Sequence, residues 1–236
     1  MSSVVVESFV CQRCAKCCMV SPISLLPHEA LILTKLSEKL GINVEIEPGF
    51  TVVDIKNGIR IALSYVMKIS DRCPFLDVDT KLCRIQELYK PLVCRCYPVV
   101  PSSIRYLIDV HTKSISHFAK YGISSLCPAV EKLRQYLTSD YSVPNVFPDE
   151  YEAQYIAEYL RMTYLHALTN MWREGVIELS PRSEGKEFPI VNAYNVVKPF
   201  IDVALLLAEN RRYLPTIIEC LSIKILKSVE QKASSL

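Results

Sequence analysis

The sequence contains ten cysteines, whose thiols can react or bind metal, and nine of them precede residue 128. The segment CQRCAKCC holds Cys11, Cys14, Cys17 and Cys18. RCPFLDVDTKLC and KPLVCRCYP hold two cysteines each, LCPAV holds another, and the last lies in the C-terminal part of the 236-residue chain. In order, these later cysteines are Cys73, Cys83, Cys94, Cys96, Cys127 and Cys220. Such dense thiols can form disulfides, bind metal or act as a catalytic pair.

The redox compartment helps to decide between these uses. MSSVVVESFVCQ has no basic region before its apolar run, which Glu7 interrupts, so no secretory signal is expected. The apolar run VALLLA is too short to span a bilayer, and we expect a cytoplasmic protein with no membrane segment. Cytosolic thiols are kept reduced, which favours metal binding or catalysis over disulfides. The exception is hyperthermophilic archaea, and 6 glycines beside 14 prolines would suit an archaeal-like thermophile.

The tandem C-x2-C-x2-C spacing indicates a metal site. Three thiolates at this spacing, with a remote cysteine that precedes proline, are the arrangement of ferredoxin-type [4Fe–4S] sites. Cys73-Pro74 and Cys127-Pro128 are the candidates for the remote ligand. Zn2+ on four cysteines is the alternative, although zinc more often uses two separated CxxC pairs. Cys18, next to Cys17, could serve a second metal or cap the first. The four histidines lack HxxxH or HExxH spacing, so they are predicted neither as ligands nor as the base of a catalytic cysteine.

The order of these motifs resembles the YkgJ-like cysteine-cluster family, whose signature is CxxCxxCC and which is described as zinc- or iron-chelating. The likeness covers CQRCAKCC, CPFL, KPLVCRCYP and a later cysteine, over about residues 9–130. Ala15 stands where the family usually has glycine. The resemblance implies that Cys96 and Cys220 are ordinary buried thiols. It implies eight metal ligands: Cys11, Cys14, Cys17, Cys18, Cys73, Cys83, Cys94 and Cys127.

Three functions remain open at this point. The first is a metal-cluster protein that carries [4Fe–4S] on its clustered cysteines, with a redox role. It would be an Fe–S oxidoreductase if it is an enzyme at all. The second is a zinc-stabilised structural or binding module, and the third is a methyltransferase-like enzyme, by analogy with flagellin lysine-N-methylase. We expect a redox or macromolecular partner, bound through the helical C-terminal region. The net charge of +2 does not indicate nucleic acid.

Hydrophobic periodicity predicts an α+β fold. Helices are expected over 24–41 and 149–175, and Asn57-Gly58 predicts a β-hairpin within 51–67. Two further helices are expected near the C-terminus, with Pro199 and Pro215 near their starts. We therefore predict a small cysteine-rich metal-binding domain with a β-hairpin at residues 1–138, followed by a helical region at 139–236.

Overall fold

Short strands and one long helix make up most of the chain. A computed structural model describes residues 8–20, 22–137, 143–181, 187–201 and 211–221. The α-helices are α1 (Lys16–Val20), α2 (Pro27–Leu40), α3 (Leu92–Cys96), α4 (Pro128–Leu133), α5 (Val143–Val146), α6 (Pro148–Arg173), α7 (Ala193–Val197) and α8 (Leu214–Leu221). The strands are β1 (Ile23–Leu25), β2 (Ile46–Pro48), β3 (Thr51–Asp54), β4 (Ile59–Ala62), β5 (Tyr65–Met67), β6 (Val99–Asp109), β7 (Ser114–Ile123), β8 (Leu179–Ser180) and β9 (Ile190–Asn192). The predicted α+β class is confirmed.

The strands form three small sheets. One has the order β1-β5-β2, the second has the order β8-β3-β4-β9, and β6 and β7 form a long two-stranded arm. Strands β3 and β4 are antiparallel neighbours, and Gly58 in the turn between them has φ 63. That left-handed conformation costs glycine nothing, which is why Asn57-Gly58 forms a turn here. The predicted hairpin is confirmed.

The long helix α6 supports the elements that carry cysteines. It packs against α3, which contains Cys94, and against β7. Trp172 and Leu168 on its inner face are fully buried in the large hydrophobic core. Burying a side chain of this size stabilises the fold by on the order of 2 kcal/mol. The helices predicted over 24–41 and 149–175 are therefore α2 and α6.

The large core crosses the predicted boundary at residue 138. It joins residues of α2, β3 and β4 to residues of α6, α7 and α8. The second sheet crosses the boundary as well, because β8 pairs with β3, and β9 lies parallel to β4. The division at residue 138 stays a prediction about independent folding.

A second, smaller hydrophobic cluster lies apart from the large core. It contains Phe9, Val99, Val130 and Phe147, and Cys127 packs against it. The rings of Phe9 and Phe147 have their centroids 5.3 Å apart. This cluster therefore ties the start of the cysteine loop to α4, α5 and the start of β6.

The helix predicted to begin near Pro215 is α8. The helix predicted after Pro199 would include residues 202–210, which lie outside the described residues.

Among the described helices, none combines the length and apolar character that crossing a membrane requires.

Candidate metal centre

Two left-handed residues shape the loop that carries the first four cysteines. Arg13 has φ 50 and Ala15 has φ 60, so the chain turns sharply on both sides of Cys14. The loop then enters α1, where the amide of Cys18 donates to the carbonyl of Ala15 at 2.9 Å. Positive φ strains residues with a Cβ, and glycine avoids that strain. The backbone here thus explains why a glycine is usual at the position of Ala15.

The segment between β5 and α3 contains Cys73 and Cys83 and forms no regular helix or strand. The Cys73 amide donates to the Cys18 carbonyl at 2.6 Å, which ties the two cysteine loops together. An isolated bridge pairs Leu76 with Cys83, and the fully buried Phe75 anchors the segment in the large core. The CPFL motif therefore fixes the position of Cys73 by burying its phenylalanine.

A buried carboxylate positions α3 and hence Cys94. Glu29 Oε1 accepts hydrogen bonds from the Leu92 amide at 2.7 Å and the Tyr89 hydroxyl at 3.1 Å. Its Oε2 accepts from the Leu26 amide at 2.9 Å. Burial raises the pKa of Glu29, and these hydrogen bonds act in the opposite direction. Sequence reasoning missed this residue, although a glutamate two positions after Pro27 at a helix start is a capping signal.

Cys127 follows the β6–β7 arm and lies near its base. It precedes Pro128 at the start of α4, and its carbonyl accepts from the Val130 amide at 3.1 Å. The Ser124 amide donates to the Pro98 carbonyl at 2.8 Å, which closes the base of the β6–β7 arm. The arm therefore returns the chain to the vicinity of Tyr97 just before Cys127.

All eight predicted ligands line one cavity of about 560 Å³. Cys11 and Cys14 are exposed, Cys73 is buried, and the other five are half-buried. The cavity walls also contain apolar side chains, among them Leu33, Met67 and Phe75. Cys96 and Cys220 are buried and do not line this cavity.

Basic side chains surround these thiols. Arg13, Lys16, Lys81 and Lys90 line the cavity, and Glu87 is the one carboxylate among its described walls. Positive charge stabilises thiolates by Coulomb attraction, which is strengthened where water is excluded. The walls are therefore suited to hold several thiolates, or the negative charge of a thiolate-bound metal.

Cys17 is the most acidic of the thiols with a shifted pKa. Its Sγ atom lies 3.9 Å from that of Cys18. The hydrogen bond from the Cys18 thiol lowers the pKa of Cys17 to about 6, and Lys90 lowers it while burial acts in the opposite direction. The same pairing and burial raise the pKa of Cys18. Within this pair, Cys17 is the thiolate at neutral pH.

The donor set fits a metal of the zinc or iron–sulfur type. Soft thiolates select Zn2+ and Fe–S clusters over hard cations. Among the described residues, no three Cys, His, Asp or Glu side chains lie close enough together to form a metal site. The thiols instead line the cavity wall. His28 and His117 lie elsewhere, since His28 Nδ1 is 3.0 Å from the Tyr164 hydroxyl and His117 contacts Glu158. The residues that could hold the metal are therefore the eight cysteines of the cavity.

Comparison with known proteins identifies the domain that contains this cavity. Residues 10–121 match the model of the CxxCxxCC family, described as a "Putative zinc- or iron-chelating domain". Neither a curated protein nor a solved structure matches the chain. The matched range contains the predicted ligands from Cys11 to Cys94, and Cys127 lies beyond it. Over residues 10–121 the chain thus matches a family model whose description supports metal binding.

Proposed function

We propose that this chain binds iron as a [4Fe–4S] cluster on cysteines of the cavity and acts as a redox protein. The main support is that the eight cysteines predicted as ligands line one cavity, whereas Cys96 and Cys220 do not. The tandem C-x2-C-x2-C and the Cys127-Pro128 step favour a cluster over zinc. The family description, which covers both metals, agrees with either.

The residues around the thiols suit this role. A bound cluster would supply one-electron transfer, with a potential set by charge, hydrogen bonds and exposure. Cys17 is already a thiolate at neutral pH, because its pKa is about 6. Lys16 and Lys90 would offset the negative charge of a cluster, and apolar walls would limit water. Cys11 and Cys14 are exposed, which leaves a route for electrons to a partner at the surface.

The deciding experiment measures iron and acid-labile sulfide in protein purified anaerobically from its native host. About four of each per chain, with a reversible redox transition, would support one [4Fe–4S] cluster, and about eight would support two. Zinc without sulfide would contradict the redox proposal. Purification from the native host matters because recombinant four-cysteine sites also take up zinc.

A zinc-stabilised structural module is the second candidate function. The observation that favours it is the segment 68–91, which has no helix and pairs only through the Leu76–Cys83 bridge among its described residues. A segment held mainly by turns gains most stability from a metal that links it to the rest of the fold. In this case the metal would be colourless zinc, and the protein would show no redox transition.

A further inference from the structure

We infer that the eight cysteines form two separate four-thiol sites, an inference that rests on the metal binding proposed above. The inner site consists of Cys18, Cys73, Cys83 and Cys94. The outer site consists of Cys11, Cys14, Cys17 and Cys127. The family match covers most of these thiols and does not divide them.

The inner thiols share the large hydrophobic core. Cys73 is a buried member of that core, and Cys18, Cys83 and Cys94 pack against it. The 2.6 Å hydrogen bond from the Cys73 amide to the Cys18 carbonyl joins two of their segments. All four thiols of the inner site therefore contact one hydrophobic core.

The outer group meets the second hydrophobic cluster at its two ends, Cys127 and the segment before Cys11. Cys127 packs against it, and Phe9, two residues before Cys11, is one of its buried members. The Phe9 amide also donates to the Val146 carbonyl at 2.7 Å, which holds the start of the loop in place. The second cluster therefore holds Cys127 and the residues that lead into Cys11, whereas Ala15, between Cys14 and Cys17, packs against the large core.

Cys17 and Cys18 mark the border between the two sites. Cys18 packs against the large core, whereas Cys17 is not among the described residues that do. The Sγ atoms of the two cysteines lie 3.9 Å apart, so Cys17 also lies close to the inner group. Its assignment to the outer site gives each site four thiols and completes the C-x2-C-x2-C ligand set with Cys127.

The test maps cysteine reactivity in the wild-type protein loaded with Zn2+ under anaerobic, reducing conditions. A chelator is added in steps, a thiol-alkylating reagent follows each step, and mass spectrometry with fragmentation scores every cysteine separately. We expect the four outer cysteines to lose protection together at low chelator. The four inner cysteines should follow together at higher chelator, because their site is more deeply buried.

Several outcomes would overturn the division. Loss of protection at all eight cysteines in one step while the fold persists would indicate a single shared site. A step in which Cys17 reacts with the inner group, or Cys18 with the outer group, would refute the assignment at the border. If none of the eight is protected by Zn2+, metal binding itself fails, which separates that failure from an incorrect division. Buried Cys96 and Cys220 report on unfolding, since they react only when the chain opens.

Two variants decide the question if removal of the first metal unfolds the chain. Cys127→Ser removes one outer ligand, and Cys83→Ser removes one inner ligand. Each variant should retain about half of the wild-type Zn2+, because a four-coordinate site survives intact in each. Cys96→Ser is the matched control and should retain all of it. Complete loss of Zn2+ in both variants, or no loss in either, would contradict two separate sites.

Discussion

Ala15 has a strained backbone conformation in the loop that carries the first four cysteines. Its φ of 60 lies in the region where a Cβ contacts the following carbonyl, and Arg13 and Lys81, which also line the cavity, share this region. Strained residues of this kind concentrate at functional sites, where the surrounding structure holds them. The loops around the thiols therefore keep conformations that isolated peptides of the same sequence would rarely adopt.

Ala15→Gly should stabilise the metal-loaded protein by roughly 0.5–1 kcal/mol, because relief of the left-handed strain exceeds the added chain entropy of glycine. The measurement is the thermal midpoint at a fixed metal load. Ala119→Gly, in strand β7, is the control and should destabilise, because Ala119 is not among the residues with positive φ. Equal destabilisation by both substitutions would show that Ala15 is not strained.

Cys73→Ala and Cys220→Ala form a second comparison between buried cysteines. Cys73 is 6% exposed and lines the cavity, whereas Cys220 is 4% exposed and lies in α8. Cys220→Ala should cost about 1 kcal/mol of stability and leave the metal content unchanged, because it only removes a small buried group. Cys73→Ala should also lower the metal content. Metal analysis and denaturant unfolding distinguish the two effects, and a loss of metal in Cys220→Ala would contradict this assignment.

At the scale of elements, the first turn of α6 contains a carboxylate in an unfavourable environment. Glu150 is 9% exposed, and its Oε2 atom has no hydrogen-bond partner among the described residues. Burial raises its pKa from 4.5 to about 7. Because the folded-state pKa lies above the ordinary value of 4.5, protonation of Glu150 favours the folded state. This contribution to the stability is fully present below pH 4.5. That stability is lost as the pH rises through 7.

Glu150→Gln should therefore stabilise the protein more at pH 8 than at pH 5, by on the order of 1 kcal/mol. The measurement is the difference in thermal midpoint between variant and wild type at each pH. Glu152→Gln is the matched control, because Glu152 is exposed on the same helix. A constant difference across this pH range would refute a raised pKa for Glu150.

The sequence predicted those elements whose signals are local. The Asn57-Gly58 turn and the periodicities of α2 and α6 extend over enough residues to identify the hairpin and both helices. Strands β8 and β9 have two and three residues, too few for a periodic pattern, and their partners lie more than a hundred positions away. Glu29 was missed for a related reason, because its contacts to Tyr89 and Leu92 depend on tertiary packing. The motif spacing predicted the candidate ligands, whereas their proposed division into two groups rests on the packing.

At the scale of the whole molecule, the two parts of the chain share one core. Ile61 and Leu33 from the first part pack in the same cluster as Leu168 and Trp172 from α6. Removal of α6 would expose these apolar side chains to water and remove the support of α3. We therefore expect metal binding by the N-terminal part to depend on a helix that the family match does not include.

We expect a fragment of residues 1–138 not to fold alone, even with metal supplied. Circular dichroism and thermal unfolding of the fragment are the measurements, and a mixture with the fragment 139–236 is the complementation control. A cooperative transition for 1–138 alone would support the two-domain prediction instead. Recovery of structure only in the mixture would show that the shared core is required.

The adjacency of Cys17 and Cys18 has a consequence for the order in which metals enter. In the division proposed above, one peptide unit connects a ligand of the inner site to a ligand of the outer site, and their sulfur atoms lie 3.9 Å apart. Occupation of the inner site would immobilise Cys18 and thereby restrict the backbone of Cys17. The second metal would then bind a preorganised ligand, which gives positive cooperativity between the sites. Thermodynamic linkage makes this coupling reciprocal, so loss of either metal would weaken retention of the other.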